Sequence, residues 1–128
     1  MKGIDTNVLV RYLVQDDLKQ AKQAIQFIEQ EEPLFISGVV LCELVWVLEG
    51  SYCYAKTDIV NVLGIILKTR QFYLEQPKIL WDCLRDYKEL NIDFSDSYIA
   101  HVNASNECEY TATFDKKATR LKYFKLLS

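Results

Sequence analysis

Asp5, Glu43, Asp96 and Asp115 are four acids set where an α/β protein can gather carboxylates. Asp5 follows the extended run Lys2-Gly3-Ile4 and precedes an apolar helical pattern, which puts it at the C-terminal edge of a strand. Open α/β folds bind their ligands at that edge. Asp115 ends a second extended run, Thr111-Ala112-Thr113-Phe114, and Asp96 follows Ser95 where a helical pattern starts. Glu43 lies in the middle of the apolar stretch 39–48. An unpaired carboxylate there costs several kcal/mol, so Glu43 is expected to be paired, protonated or bound to a cation. Each acid alone also has a plain structural reading. Asp5 and Asp96 suit helix starts, Asp115 a turn, and Glu43 a buried ion pair. Together they suggest more. Converging carboxylates repel one another unless a divalent cation compensates them, and hard oxygen ligands select Mg²⁺ or Mn²⁺. Such an ion lowers the pKa of a water and orients it at phosphorus, which points to metal-assisted phosphodiester hydrolysis.

The elements that must position these acids follow from the hydrophobic pattern. Residues 8–14 read as a short helix and 15–17 as a turn. Leu18, Ala21, Ile25 and Ile28 mark one face of an amphipathic helix that Glu31-Glu32-Pro33 stops. Leu34-Phe35-Ile36 is a strand, and residues 39–48 are helical by length, closing near Gly50. Thr57-Asp58 caps the next helix, which runs to Thr69. Phe72-Tyr73-Leu74 is a strand, and Pro77 suits the first position of a helix reaching Leu90. Ser95-Asp96 opens a helix with Tyr98, Ile99 and Val102 inward. After Asp115 come a turn of helix and an edge strand over 123–127. Strands separated by helices give a central parallel sheet covered on both faces. The fold class is α/β, a three-layer α/β/α sandwich, with residues 1–128 as one domain.

Composition constrains the rest. With only two Pro and four Gly in 128 residues there is little room for linkers. No charged start leads into an apolar segment with a cleavage site, and charge breaks every apolar run before membrane-spanning length, so a cytoplasmic protein is expected. Cys42, Cys53, Cys83 and Cys108 lack CxxC spacing and read as small core residues in a reducing compartment. The net charge of −3 disfavours a general nucleic-acid binder. Setting the four candidate acids aside leaves 14 acids against 15 bases, a mildly basic remainder compatible with a polyanionic substrate.

IDTNVL at the start, the acid in VVLCELVWVL, then DFSDSYIA and TATFD resemble the PIN-domain family, specifically VapC-type toxins of toxin–antitoxin pairs. The match runs through nearly the whole chain in order and spacing. The resemblance implies a Mg²⁺- or Mn²⁺-dependent endoribonuclease that cuts single-stranded or loop RNA. It also implies a cognate VapB-like antitoxin, a homodimer and a toxin–antitoxin hetero-oligomer. Carried over by position, Asp5, Glu43, Asp96 and Asp115 form the metal-binding catalytic set. Thr6 and Asn7 are the polar partners after the first acid, with Asn7 expected to hold Asp5 or a water. Thr113 matches a hydroxyl residue that bonds a carboxylate or phosphate, and Asp93 reads as a supporting loop acid because it precedes the Ser95 cap.

Other residues carry weaker expectations. His101 reads as a solvent-facing or capping histidine, and Trp46 and Trp81 as core or interface. Arg11, Lys116, Lys117, Arg120 and Lys122 flank the strand-end acids and are candidate phosphate contacts. The helices at 18–28 and 59–67 are rich enough in apolar residues to suggest a groove for an antitoxin segment. A haloacid-dehalogenase-like phosphatase needs an acid where Asn7 stands, and a receiver domain needs an acidic pair before its central Asp. Both fail on spacing. A catalytically silent PIN-like module that binds RNA or protein is the remaining alternative.

Overall fold

The computed structural model describes residues 1–127. In chain order the elements are β1 (Lys2–Gly3), α1 (Thr6–Val14), α2 (Leu18–Gln30), β2 (Leu34–Ile36), α3 (Gly38–Gly50), α4 (Lys56–Lys68) and β3 (Phe72–Leu74). They continue with α5 (Pro77–Leu90), α6 (Phe94–Ser105), β4 (Thr111–Thr113), a 3₁₀ turn (Lys117–Arg120) and β5 (Phe124–Leu126). The strands pair in parallel in the order β1-β2-β3, with Lys2 opposite Leu34 and Leu34 opposite Phe72. β4 and β5 form a second parallel pair, Thr111 opposite Phe124. Parallel strands need covered faces, and the helices supply the cover in a three-layer α/β/α arrangement. Leu34 and Ile36 of β2 are fully buried, as a central strand requires.

Local chemistry explains where the helices begin. The Asp5 carboxylate accepts the Val8 amide at the start of α1, and Asp17 accepts the Gln20 amide at the start of α2. Pro77 takes the first turn of α5, where its missing N–H costs nothing. Asn91 ends that helix in the left-handed region, at φ 53°. Two starts differ from expectation. α4 begins at Lys56, so Thr57 and Asp58 lie within its first turn and no side chain caps it. α6 begins at Phe94 with Asp93 in the N-cap position, ahead of Ser95.

The core gathers the inner stripes of α3, α4 and α5 around the three-stranded sheet. On α3, Val40, Leu41, Leu44, Val45 and Leu48 face inward, leaving Val39, Glu43 and Trp46 on the outward stripe. Glu43 is therefore exposed, and the penalty for burying its charge does not arise. Trp46, at 76% exposure, and the partly exposed Trp81 are not core residues. Ile59, Leu63 and Ile66 of α4 are buried in the core, so they do not line an open groove.

The stripe of α6 is also shifted. Phe94, Ser97, Ala100 and His101 are buried, while Ile99 is exposed. Among the cysteines, Cys83 is buried and Cys42 half-buried, and burial pushes their thiols up to about 12 and about 11. Cys53 and Cys108 are exposed and stand outside the core. No helix among the described residues is long and apolar enough to cross a membrane.

Candidate active site

The four acids belong to four different parts of the fold: Asp5 follows β1, Glu43 lies in α3, Asp96 in the first turn of α6, and Asp115 follows β4. Asp5 follows β1 and spends Oδ1 on the Val8 amide at 3.0 Å, which leaves Oδ2 free of that bond. A cavity of about 540 Å³ opens beside it between α1 and α2, lined in part by Asn7, Val8, Arg11, Ala24 and Phe27. Thr6, the first residue of α1, donates its hydroxyl to Glu43 Oε1 at 2.8 Å. That bond ties the start of α1 to the middle of α3. Thr6 is thus the neighbour of Asp5 that engages an acid, whereas Asn7 is exposed and lines the cavity.

Glu43 shares a second, 330 Å³ pocket with Glu49 of α3 and with Asp93 and Ser95 at the start of α6. Asp96 follows one turn along. Partial burial raises its pKa above the ordinary carboxylate value, and the nearby charges of Asp93 and Asp115 raise it further. Asp115 is positioned by its own turn. Its amide donates to the Thr113 hydroxyl at 3.0 Å, and its Oδ1 accepts the Lys117 amide at 2.9 Å. Thr113 therefore shapes the backbone at Asp115 and does not touch the carboxylate.

The site is an open run of acids rather than a closed cage. Thr6 bridges α1 to Glu43, Glu43 and Asp93 line one pocket, and the charges of Asp93 and Asp115 both act on Asp96. Among the described residues, no three acid, histidine or cysteine side chains are grouped closely enough to hold an ion. Their chemistry still suits a hard cation: all are carboxylates, and the charge on Asp96 is opposed by its neighbours without a matching base. Mg²⁺ is commonly held by one or two carboxylates, retained waters and substrate phosphates, so an open site is compatible with it.

The candidate phosphate contacts differ in availability. Arg11 is occupied, donating to Gln20 at 2.6 Å, Asp16 at 3.0 Å and Tyr52 at 3.2 Å. Lys116 and Lys117 are exposed directly after Asp115.

Two supporting carboxylates, Asp86 and Glu75, have little signature in the sequence. Asp86 of α5 is only 3% exposed and accepts the Ser97 hydroxyl at 2.9 Å and His101 Nε2 at 2.6 Å. His101 is accordingly buried, because a carboxylate on the facing helix satisfies its ring. The carboxylate lies between hydroxyl and imidazole, so this trio does not pair Ser97 with a base. Glu75 accepts the Gly38 amide at 2.9 Å and the Tyr98 hydroxyl at 3.2 Å, joining the starts of α3 and α6. A Cβ at position 38 would overlap the Tyr98 ring. Asp86 falls beside the 80/83/84/87 core stripe, which was the available hint.

Comparison with known proteins agrees with the fold. A family model described as PIN domain matches residues 3–122. A protein named VapC ribonuclease from Aquifex aeolicus (strain VF5) is 29% identical over 99 residues, covering 75% of this chain and 73% of the relative. No solved structure matches.

Proposed function

Because the chain belongs to the PIN-domain family, we propose that it is a Mg²⁺- or Mn²⁺-dependent endoribonuclease, the toxin of a toxin–antitoxin pair. What supports this reading is that the charges of Asp93 and Asp115 both act on Asp96, that Glu43 and Asp93 line one pocket, and that Thr6, next to Asp5, bonds Glu43. The VapC ribonuclease named above supports the choice of RNA as substrate.

In this mechanism Asp5, Glu43, Asp96 and Asp115 are the set from which one or two carboxylates would hold the cation, with waters and substrate phosphates as its other ligands, and Asp93 would support them. When bound, a divalent cation would supply Lewis acidity and lower the pKa of a water. Asp5 presents the oxygen not used by Val8, on a rigid helix start. Thr6 fixes Glu43 by one oxygen and leaves the other as an acceptor. Thr113 and the Lys117 amide hold the Asp115 turn, so that carboxylate is oriented before substrate arrives. Lys116 and Lys117 approach the backbone phosphates, which positions the strand without reading its bases. A VapB-like antitoxin that places a cationic side chain among the acids inhibits by occupying the cation's place.

RNA cleavage by the full chain is expected with Mg²⁺ or Mn²⁺, and not with EDTA. Asp5→Asn and Asp96→Asn are each expected to reduce the rate by at least about a hundredfold, as for loss of a principal electrostatic group. Cleavage that persists in EDTA or in both variants would falsify the metal-nuclease mechanism. The open spacing of the acids is what favours the rival reading, a silent binding module. RNA binding with no cleavage under any divalent cation would select that rival.

A further inference from the structure

A cleft of about 430 Å³ separates α5 and α6 from the segment after Asp115. Lys78, Arg85, Arg120 and Lys122 line it, against one lining acid, Asp82. In a chain of net charge −3, that is a local reversal of sign. Asp82 is shared between Lys78 at 3.5 Å and Arg85 at 3.1 Å. Asp86 also approaches Arg85, at 3.6 Å, but its other oxygen is committed to Ser97 and His101. Arg120 donates only to the carbonyls of Leu90 and Asn91, and Lys122 lies over the Tyr123 ring. Among the described residues, neither Arg120 nor Lys122 has a carboxylate partner, so the cleft keeps excess positive charge.

Its position relative to the acids is bounded by the chain itself. Leu90, in the cleft wall, is three residues from Asp93, at most about 11 Å along extended chain. On the other side, one 3₁₀ turn carries the chain from Lys117, two residues past Asp115, to Arg120. Lys56 stands between these points and donates to the Asn91 side chain at 2.8 Å. Burial lowers its pKa, the charges of Lys117 and Arg120 lower it further, and Glu49 opposes them.

We propose that this cleft is a second substrate subsite, which holds phosphates of the single-stranded RNA flanking the bond to be cut. The subsite rests on the endoribonuclease reading and extends it. A strand with its scissile phosphate at the acids continues past Lys117 and Lys56 into a cleft that grips backbone and leaves bases unread. The acidic pocket alone would repel such a strand, and this cleft supplies the attraction that keeps it in place.

The test compares the full chain with Lys78→Gln/Lys122→Gln, two exposed positions at the cleft. The control is Lys19→Gln/Lys22→Gln, two exposed lysines on α2. Binding of a labelled single-stranded RNA of about twelve nucleotides is followed by anisotropy in EDTA, between about 50 and about 200 mM salt. The cleft pair is expected to weaken binding about tenfold at low salt. It is also expected to flatten the log–log salt slope by about 1.4, since each neutralised phosphate on single strands contributes about 0.7. The single variants Lys78→Gln and Lys122→Gln are each expected to give about half that slope change, which preserves the comparison if the double variant misfolds.

An unchanged affinity in the cleft pair, or an equal loss in the control pair, overturns the proposal. Unchanged RNA binding alongside lost binding of polyglutamate assigns the cleft to an acidic protein and also overturns it. If the unmodified chain fails to cleave RNA with Mg²⁺ or Mn²⁺, the nuclease reading falls, while the binding comparison in EDTA still stands.

Discussion

Asp96 is partly buried, and that burial together with the charges of Asp93 and Asp115 raises its pKa above the ordinary carboxylate value. A carboxyl whose folded pKa exceeds its unfolded pKa stabilises the fold in its protonated form. It loses that contribution as pH rises from the unfolded value through the folded one. At neutral pH the ionised Asp96 therefore works against the metal-free fold. Asp96→Asn is expected to raise the melting temperature by a few degrees in EDTA at neutral pH while removing cleavage. The gain is expected to vanish below about pH 3.9, where the unfolded-state carboxyl is protonated as well. A lower melting temperature for Asp96→Asn at neutral pH would contradict this account. The positions of the acids were legible because strand ends and helix starts leave marks in the pattern. The exposure of Glu43 was not, because the apolar Val39 and Trp46 share its outward stripe and hide the amphipathicity of α3.

At the scale of elements, α3 and α6 carry Glu43 and Asp96, and their starts are joined through Glu75. The Gly38 amide and Tyr98 hydroxyl both donate to that carboxylate, and the Tyr98 ring occupies the space a side chain at 38 would need. Gly38→Ala is expected to cost about 1–3 kcal/mol, the usual range for overpacking, read as a lower urea midpoint at unchanged slope. Combining it with Tyr98→Ala should give less than the sum of the two single losses, because the clash requires both partners. Strict additivity would show that the overlap is relieved elsewhere. The boundaries of α5 and of the short strands followed from Pro77 and from extended apolar runs. The phase of α6 did not, because its buried stripe includes Ser97 and His101, whose partner Asp86 lies on another helix. A pattern of hydrophobicity cannot register a polar stripe that is satisfied across a helix interface.

Across the whole molecule, polar groups are buried only where partners meet them. Among the described residues, no buried side-chain nitrogen or oxygen lacks a hydrogen bond. Asp86 is central to this balance, since α6 runs from the acids at its start to His101 in the wall of the basic cleft. Asp86→Ala strands Ser97 and His101 together and is expected to cost about 3 kcal/mol, in the range for removing one partner of a buried pair. Chemical denaturation measures the loss, and a change under about 0.5 kcal/mol, typical of a surface site, would show that the seam repacks without it.

The two sets of strands share no hydrogen-bonded ladder among the described residues. Asp5 follows a strand of one set and Asp115 a strand of the other. A ladder would hold them at a spacing fixed in steps of one residue. Helix packing sets it instead, through seams whose width depends on side-chain volume. The acids thus behave as the tips of callipers whose pivot lies among the helices. A methyl group added or removed at the pivot alters the gap at the tips without touching a carboxylate.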